Sequence, residues 1–338
     1  MAQSFAQACN AGVNYAHALA ESMGQFLVKR LILLAATLVF ASLVVFGVLE
    51  VLPGNAAEVI LGSSATPDSV VALTHKLGLD QGFTARYGAW VGNALHGDLG
   101  QSFAYSSPIG PLIAQRLAVS APLAIMAMAL AAAVALAAGV FAAQRHGKAG
   151  DVLVMAASQI GLSIPNFWLG ILLVLVFAVG LRWVPSGGFP GWDAGILPAL
   201  GSLILPAVAL GVVQAAILTR VTRSALLEVL NEDFIRTARA KGLSRRAALW
   251  RHALPNALTP ILTIMGLQFA NLIAGAIVIE NVFTLPGLGR LIFQSIANRD
   301  VFVVEDCVML LAAIVIGVNF LVDLACTAID PRLRRRVA

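Results

Sequence analysis

Six stretches of the chain are apolar over enough consecutive residues to cross a lipid bilayer, and this limits the fold more than any other feature of the sequence. They lie at Leu31–Leu49, Leu117–Ala143, Val152–Leu181, Ile196–Leu218, Leu262–Ile279 and Val303–Cys326. Hydrocarbon offers no hydrogen-bond partners, so each run must satisfy its own backbone N–H and C=O groups, which the α-helix does. The expected class is therefore all-α: a polytopic membrane protein of six transmembrane helices. Composition agrees, with 59% of residues hydrophobic and only 12% charged, about half the charge of a soluble domain.

The net charge of +5 is then a question of where basic residues fall, and no nucleic-acid partner is implied. With the N-terminus inside, sixteen of the 22 Lys and Arg residues fall on the cytoplasmic side and six on the outer side. That bias places both termini in the cytoplasm, with residues 1–30 as a cytoplasmic N-terminal segment and 31–338 as the membrane domain. Lys29 and Arg30 precede the first run and no small-residue cleavage site follows it, so it reads as a retained span. Cys9, Cys307 and Cys326 have no metal-ligand spacing and read as free thiols.

The third run is too long for one simple span and carries Gly161, Pro165 and Asn166. Proline removes a helical donor, so a kink or break is expected around Ile164–Trp168. Polar side chains inside spans are costly in lipid and turn toward a protein interior or a cavity. Gln159, Ser163, Asn166, Gln214, Gln268 and Asn271 are of this kind. Two readings stay open for them: the lining of a path for a polar solute, or hydrogen-bond glue between helices. Asn319 and Asp323 read as a structural polar pair. The span centres are nearly free of ionisable groups, which argues against a proton-coupled carrier.

Two polar segments stand out. The longest, 53–116, offers a helix opened by Thr66, Pro67 and Asp68 and closed by Gly78, then an amphipathic piece from Phe83 to His96 with Tyr87 and Trp90 placed for a lipid interface. The other is the hinge Asn231–Pro255. Asn231 is placed to cap a short helix, with Glu232 and Asp233 at its positive end, Arg239 and Lys241 in its last turn, and Gly242 as the left-handed stop. Ser244 then caps a second helix running through Trp250 toward Pro255. Phe234 and Ala238, four apart, form an apolar contact on the first helix. Arg236, Arg239, Lys241, Arg245 and Arg246 suit acidic lipid headgroups or the acidic groove of a partner protein. The caps fix a rigid helix, which lipid attraction does not require, and so favour the partner.

Gly242 followed at fixed distance by Leu254 and Pro255 resembles the EAA loop of permease subunits of bacterial ABC importers, and Arg236–Ser244 (RTARAKGLS) is similar to the dipeptide, oligopeptide and nickel branch. Arg236 and Thr237 stand where Glu and Ala are usual, and His252 replaces an apolar residue; these are marks of that branch. The LGLD of Leu77–Asp80, the GDLGQSF of Gly97–Phe103, the ENVF-x-LPGLG from Glu280, the NFLVD of Asn319–Asp323 and the final DPR carry the likeness from about residue 31 to 336. Gln81 and Gly82 replace an expected Pro, and Val301-Phe302 replace Tyr-Pro.

The resemblance implies the type I ABC importer permease fold, with an external loop at 53–116 and a coupling loop at 220–258. It implies a bacterial cytoplasmic (inner) membrane protein working with a second related permease subunit, two ABC ATPase subunits and an extracytoplasmic substrate-binding protein. The first helix of the hinge becomes the coupling helix, with Phe234, Arg236, Ala238, Arg239, Lys241, Gly242, Leu254 and Pro255 as ATPase-coupling positions. Gln159, Asn166, Gln214, Gln268 and Asn271 are the candidate translocation path. No phosphate-binding GxxxxGK[ST], HExxH or GxSxG occurs, so no catalytic residue, metal site or cofactor is expected, and ATP hydrolysis belongs to other subunits. The expected cargo is di- or oligopeptides. The alternatives are nickel or another small solute in the same kind of complex, then a secondary transporter or channel, then a membrane enzyme.

Overall fold

The computed structural model describes residues 28–48, 56–62, 65–76 and 78–329. Most of the predicted N-terminal segment, with Cys9, and the basic tail with its DPR lie outside them. Helix α1 spans Val28–Val48. The first polar segment gives α2 (Ala56–Leu61), α3 (Pro67–Lys76), α4 (Phe83–Leu95) and a two-stranded antiparallel hairpin, β1 (Gln101–Ser102) against β2 (Ser107–Pro108). The α3 start follows the expectation: Ser69 N–H donates to Thr66 Oγ1, and Gly78 takes φ +65° beyond its end.

The bundle follows: α5 (Ile109–Gln144), α6 (Ala149–Ser163), α7 (Asn166–Leu173) continued by a π turn at Val174–Gly180, then α8 (Ile196–Leu230). After it come α9 (Asp233–Ala240), α10 (Arg245–Ala248), α11 (Leu254–Val282), α12 (Leu288–Ala297) and α13 (Val301–Ile329). Five helices are long and apolar enough to cross a membrane, and a sixth crossing exists if α6 and α7 with its π turn act as one. The expected break falls between Ser163 and Asn166, where the two halves bend by 98°.

Packing of α5 on α8 is the centre of the bundle. On α5 the buried residues Val119, Leu123, Ala127, Ala131, Ala135, Gly139 and Ala143 recur every fourth position, one continuous stripe. Small side chains let the helix backbones approach, and van der Waals contact drives association where lipid is as apolar as leucine. A Cβ on Gly211 would sit 3.0 Å from the Ala127 carbonyl oxygen, so α8 lies almost on the α5 backbone there.

Polar contacts lock the end that carries the 56–108 insert. Tyr87 Oη meets Ser42 Oγ on α1 at 2.7 Å, and Trp90 Nε1 donates to Asp306 Oδ1 on α13 at 3.1 Å. Phe46, Phe83, Tyr87 and Trp90 form one aromatic cluster around these bonds. The polar tips of Tyr87 and Trp90, the two residues expected at a lipid interface, thus find partners on α1 and α13. Asp300 accepts from Ser102 Oγ (2.6 Å) and Ala104 N–H (3.1 Å), so the hairpin is pinned to the start of α13. Glu280, at the end of α11, accepts from Ser120 Oγ and from the Arg290 N–H in the first turn of α12. Glycine is required beside it, because a Cβ on Gly287 would overlap the Glu280 carboxylate.

At the opposite end Asp323 pairs with Arg30, tying α13 to α1. Asn319 Oδ1 instead faces α11 at Gly266, so the expected Asn319–Asp323 pair is resolved into two separate interhelical contacts. Cys307 and Cys326 are free and buried.

Candidate functional site

The hinge folds from its sequence with two differences from expectation. Asn231 is not the cap of α9; it closes α8, its N–H bonding back toward Glu228, while extended Glu232 is the residue preceding α9. Helix α8 runs twelve residues past the predicted span end at Leu218, to Leu230, and takes Asn231 as its own C-cap. The rest of the elbow is as expected. Leu243 N–H bonds to the Ala238 carbonyl and Gly242 N–H to that of Arg239, the paired bonds of a Schellman stop, with Gly242 at φ +95°. Ser244 Oγ then accepts from Ala247 N–H at 3.2 Å.

The second difference follows Ser244. The helix does not end at Pro255 but runs through a π turn at Leu249–Ala253 into α11 and on to Val282. Proline has no N–H and its ring displaces the carbonyl four residues back, here Arg251. A π turn shifts the hydrogen bonding by one residue over that stretch, so the helix continues past it.

Helix α9 is bolted to the spans by a residue the sequence reading passed over. Ile235 is 2% exposed. It packs with Val140 and Ala143 of α5, Ala225 and Leu226 of α8, and Leu249, Ala253 and Ala257 at the head of α11. Phe234 and Leu254 pack against the same cluster from its edge, so these two coupling candidates face inward. Phe234, Ile235 and Ala238 make one apolar stripe, and that stripe was the signal for Ile235. Arg236, Arg239, Lys241, Arg245 and Arg246 are exposed, as are Gly242 and Pro255, while Ala238 is half-buried. The outward face of α9 is therefore basic and polar, and its inward face joins three spans.

Beside it sits a second lock, absent from the sequence reading. Arg223 on α8 donates through Nε and Nη2 to both oxygens of Asp151 on α6, at 2.5 and 2.7 Å. Gly147 N–H (3.0 Å) adds to Asp151, and His146 Nδ1 lies 3.3 Å away. Asp151 is 3% exposed, and its partner comes from 72 residues along the chain.

Substitution at Gly242 tests the elbow directly. No atom lies within 4 Å of a Cβ built there, so any effect is conformational. Gly242→Val is expected to destabilise the turn by about 1–2 kcal/mol, and Gly242→Asn, which tolerates the left-handed region, by far less. Trypsin, whose sites flank the elbow, should cut the valine variant about fivefold faster or more. Equal cleavage rates for the two variants would contradict the assignment.

Residues 135–335 match the family described as the inner membrane component of binding-protein-dependent transport systems, and residues 23–124 match the family of its N-terminal portion. The chain belongs to this family. Over 312 residues it is 39% identical to the glutathione transport system permease protein GsiC of Escherichia coli, covering 92% of this chain and 99% of that one. It is 37% identical over 335 residues to the di/tripeptide transport system permease protein DppB of Pseudomonas aeruginosa (93% and 100% covered). A Brucella abortus chain, named provisionally as a peptide transport system permease protein, is 41% identical over 312 residues (92% and 99%).

In this permease the polar residues of the spans do not form a single cluster. Gln268 accepts a hydrogen bond from Asn271 Nδ2 on the same face of α11 at 3.0 Å. Asn166, at the start of α7, lies against Gly275 one turn further along that helix. Gln214 is buried in α8, and its Oε1 has no hydrogen-bond partner among the described residues. Gln159 is exposed and accepts from Arg220 Nη1 at 3.3 Å.

Proposed function

We propose that this chain is the membrane-spanning permease subunit of an ATP-driven importer of di- or oligopeptides, with α9 as the contact through which ATPase subunits drive it. The family supports the transport role, and relatives named for dipeptide, di/tripeptide and glutathione transport support peptide cargo. The observation that carries the coupling role is the two-sidedness of α9. Its cations face outward, while Ile235 is held among α5, α8 and α11, so a pull on α9 is transmitted to three spans at once. Rigid shifts of those spans alternate access to a central path.

On this reading the complex pairs the chain with a second permease, two ATPases and an extracytoplasmic binding protein, and α9 and both termini lie in the cytoplasm. The polar faces of Asn166, Gln268 and Asn271 belong to the path, and buried Gln214 belongs to the packing of α8. Gln159 belongs with Arg220 at the cytoplasmic rim.

Isolation of the tagged chain from native membranes in mild detergent should bring down an ATPase, a sibling permease and a binding protein. Changing Arg236, Arg239 and Lys241 together to Glu should reduce recovery of the ATPase about tenfold or more while the sibling permease is retained, since all three side chains are exposed. Uptake of radiolabelled dipeptide by the reconstituted complex tests the cargo. Nickel uptake in its place would reassign the cargo, and transport without any ATPase would make the chain a secondary transporter.

A further inference from the structure

A cleft of about 460 Å³ opens beside the coupling region, between α6, α8 and the head of α11. Its floor is one face of α8, where Arg220, Ser224 and Glu228 follow each other at four-residue intervals, and Leu162, Val221 and Pro260 wall it. All three floor residues are exposed. Arg220 gives one hydrogen bond, to Gln159, which leaves most of its donors free. Glu228 has no side-chain partner among the described residues.

We infer that this cleft is a peptide exit site that reads both charged ends of a short peptide, Arg220 holding the α-carboxylate and Glu228 the α-ammonium. The inference rests on the peptide reading above and adds the site and the recognition chemistry. Eight residues of helix place the Arg220 and Glu228 Cα atoms about 12 Å apart. Reach of the two side chains toward each other brackets the charge separation of an extended di- or tripeptide, at about 3.5 Å per residue. Between the charges the Ser224 hydroxyl is available to the peptide backbone, and the apolar walls accept side chains of any kind. Such a site prefers free termini and ignores sequence. The cleft also shares Ala225 with the cluster that anchors Ile235, so movement of α9 reaches its floor directly. Release of peptide and departure of the ATPases from their closed state are coupled at that residue.

The test uses the assembled complex with Ser224→Cys, nucleotide-free and without binding protein, so that discrimination by the binding protein does not enter. Alkylation of residue 224 by a maleimide is followed by peptide mapping. Glycyl-leucine is expected to slow the reaction, while its N-acetylated and C-amidated forms give at least about tenfold weaker protection, the loss of one charge-assisted contact. Adding Arg220→Gln or Glu228→Gln should abolish protection by free glycyl-leucine to a similar degree. Equal protection by blocked and free peptides, or protection that survives both substitutions, overturns the assignment. So does protection that requires phosphatidylethanolamine and ignores peptide. Dipeptide uptake by the wild-type complex is measured in parallel. Uptake without charge-dependent protection removes the exit site and leaves the importer reading standing, whereas absence of uptake removes both.

Discussion

Arg223→Ala is expected to lower the stability of this protein by about 3–5 kcal/mol. The variant leaves the Asp151 carboxylate buried with its two guanidinium bonds gone, and only the Gly147 N–H and the His146 ring nearby. A buried pair contributes little net stability when intact, because desolvating two charges offsets most of their attraction, yet a lone buried charge is strongly unfavourable. The double variant Arg223→Ala/Asp151→Ala should therefore be more stable than Arg223→Ala alone. Heating the detergent-solubilised protein and measuring the fraction that remains monodisperse orders the variants. A double variant less stable than the single would show that the pair contributes mainly as a favourable contact. Because Asp151 lies on α6 and Arg223 on α8 near α9, loss of the pair should also weaken transport in the fraction that folds.

Gly139→Ala is expected to destabilise the protein as well, although it adds one methyl group. That Cβ would lie 2.6 Å from the Thr222 Cβ and 3.0 Å from the Thr219 carbonyl oxygen, and neither atom can rotate away. Helices α5 and α8 must separate by roughly 1 Å, and dispersion contacts fall steeply over such a gap along the whole stripe from Val119 to Ala143. Overpacking of this kind costs about 1–3 kcal/mol or more, and Gly139→Leu should prevent accumulation of folded protein. Thr222→Gly in the Gly139→Ala background should restore much of the loss, less about 1 kcal/mol for glycine in a helix. The same thermal assay decides it: no rescue would place the damage somewhere other than this contact.

The run of helices was legible because lipid removes the alternatives. Five of the six predicted spans have one long apolar helix each, the third is the bent pair α6 and α7, and its break falls at Pro165, where a helical donor is missing. The elbow was legible as well, since a left-handed glycine and a serine cap are local chemistry at fixed spacing. Errors came where a local signal met a longer element. Asn231 is a good cap, but α8 runs on until it consumes that residue; Pro255 is a good stop, but a π turn carries the helix through it.

By itself the sequence determined a helical membrane protein of this family, with a polar two-helix hinge whose stop and second cap lie at Gly242 and Ser244. Those features depend on residues a few positions apart, or on the energy of taking a backbone out of water, and both are written locally. Only the tertiary structure decided that Ile235 anchors α9 to three spans, that Arg223 meets Asp151, that Glu280 holds the start of α12, and that Arg220 and Glu228 face one cleft. In the sequence Ile235 is one more apolar residue and Arg223 one more positive charge. Their partners lie on other helices, and small-residue packing that lets backbones nearly touch is what brings those helices within reach.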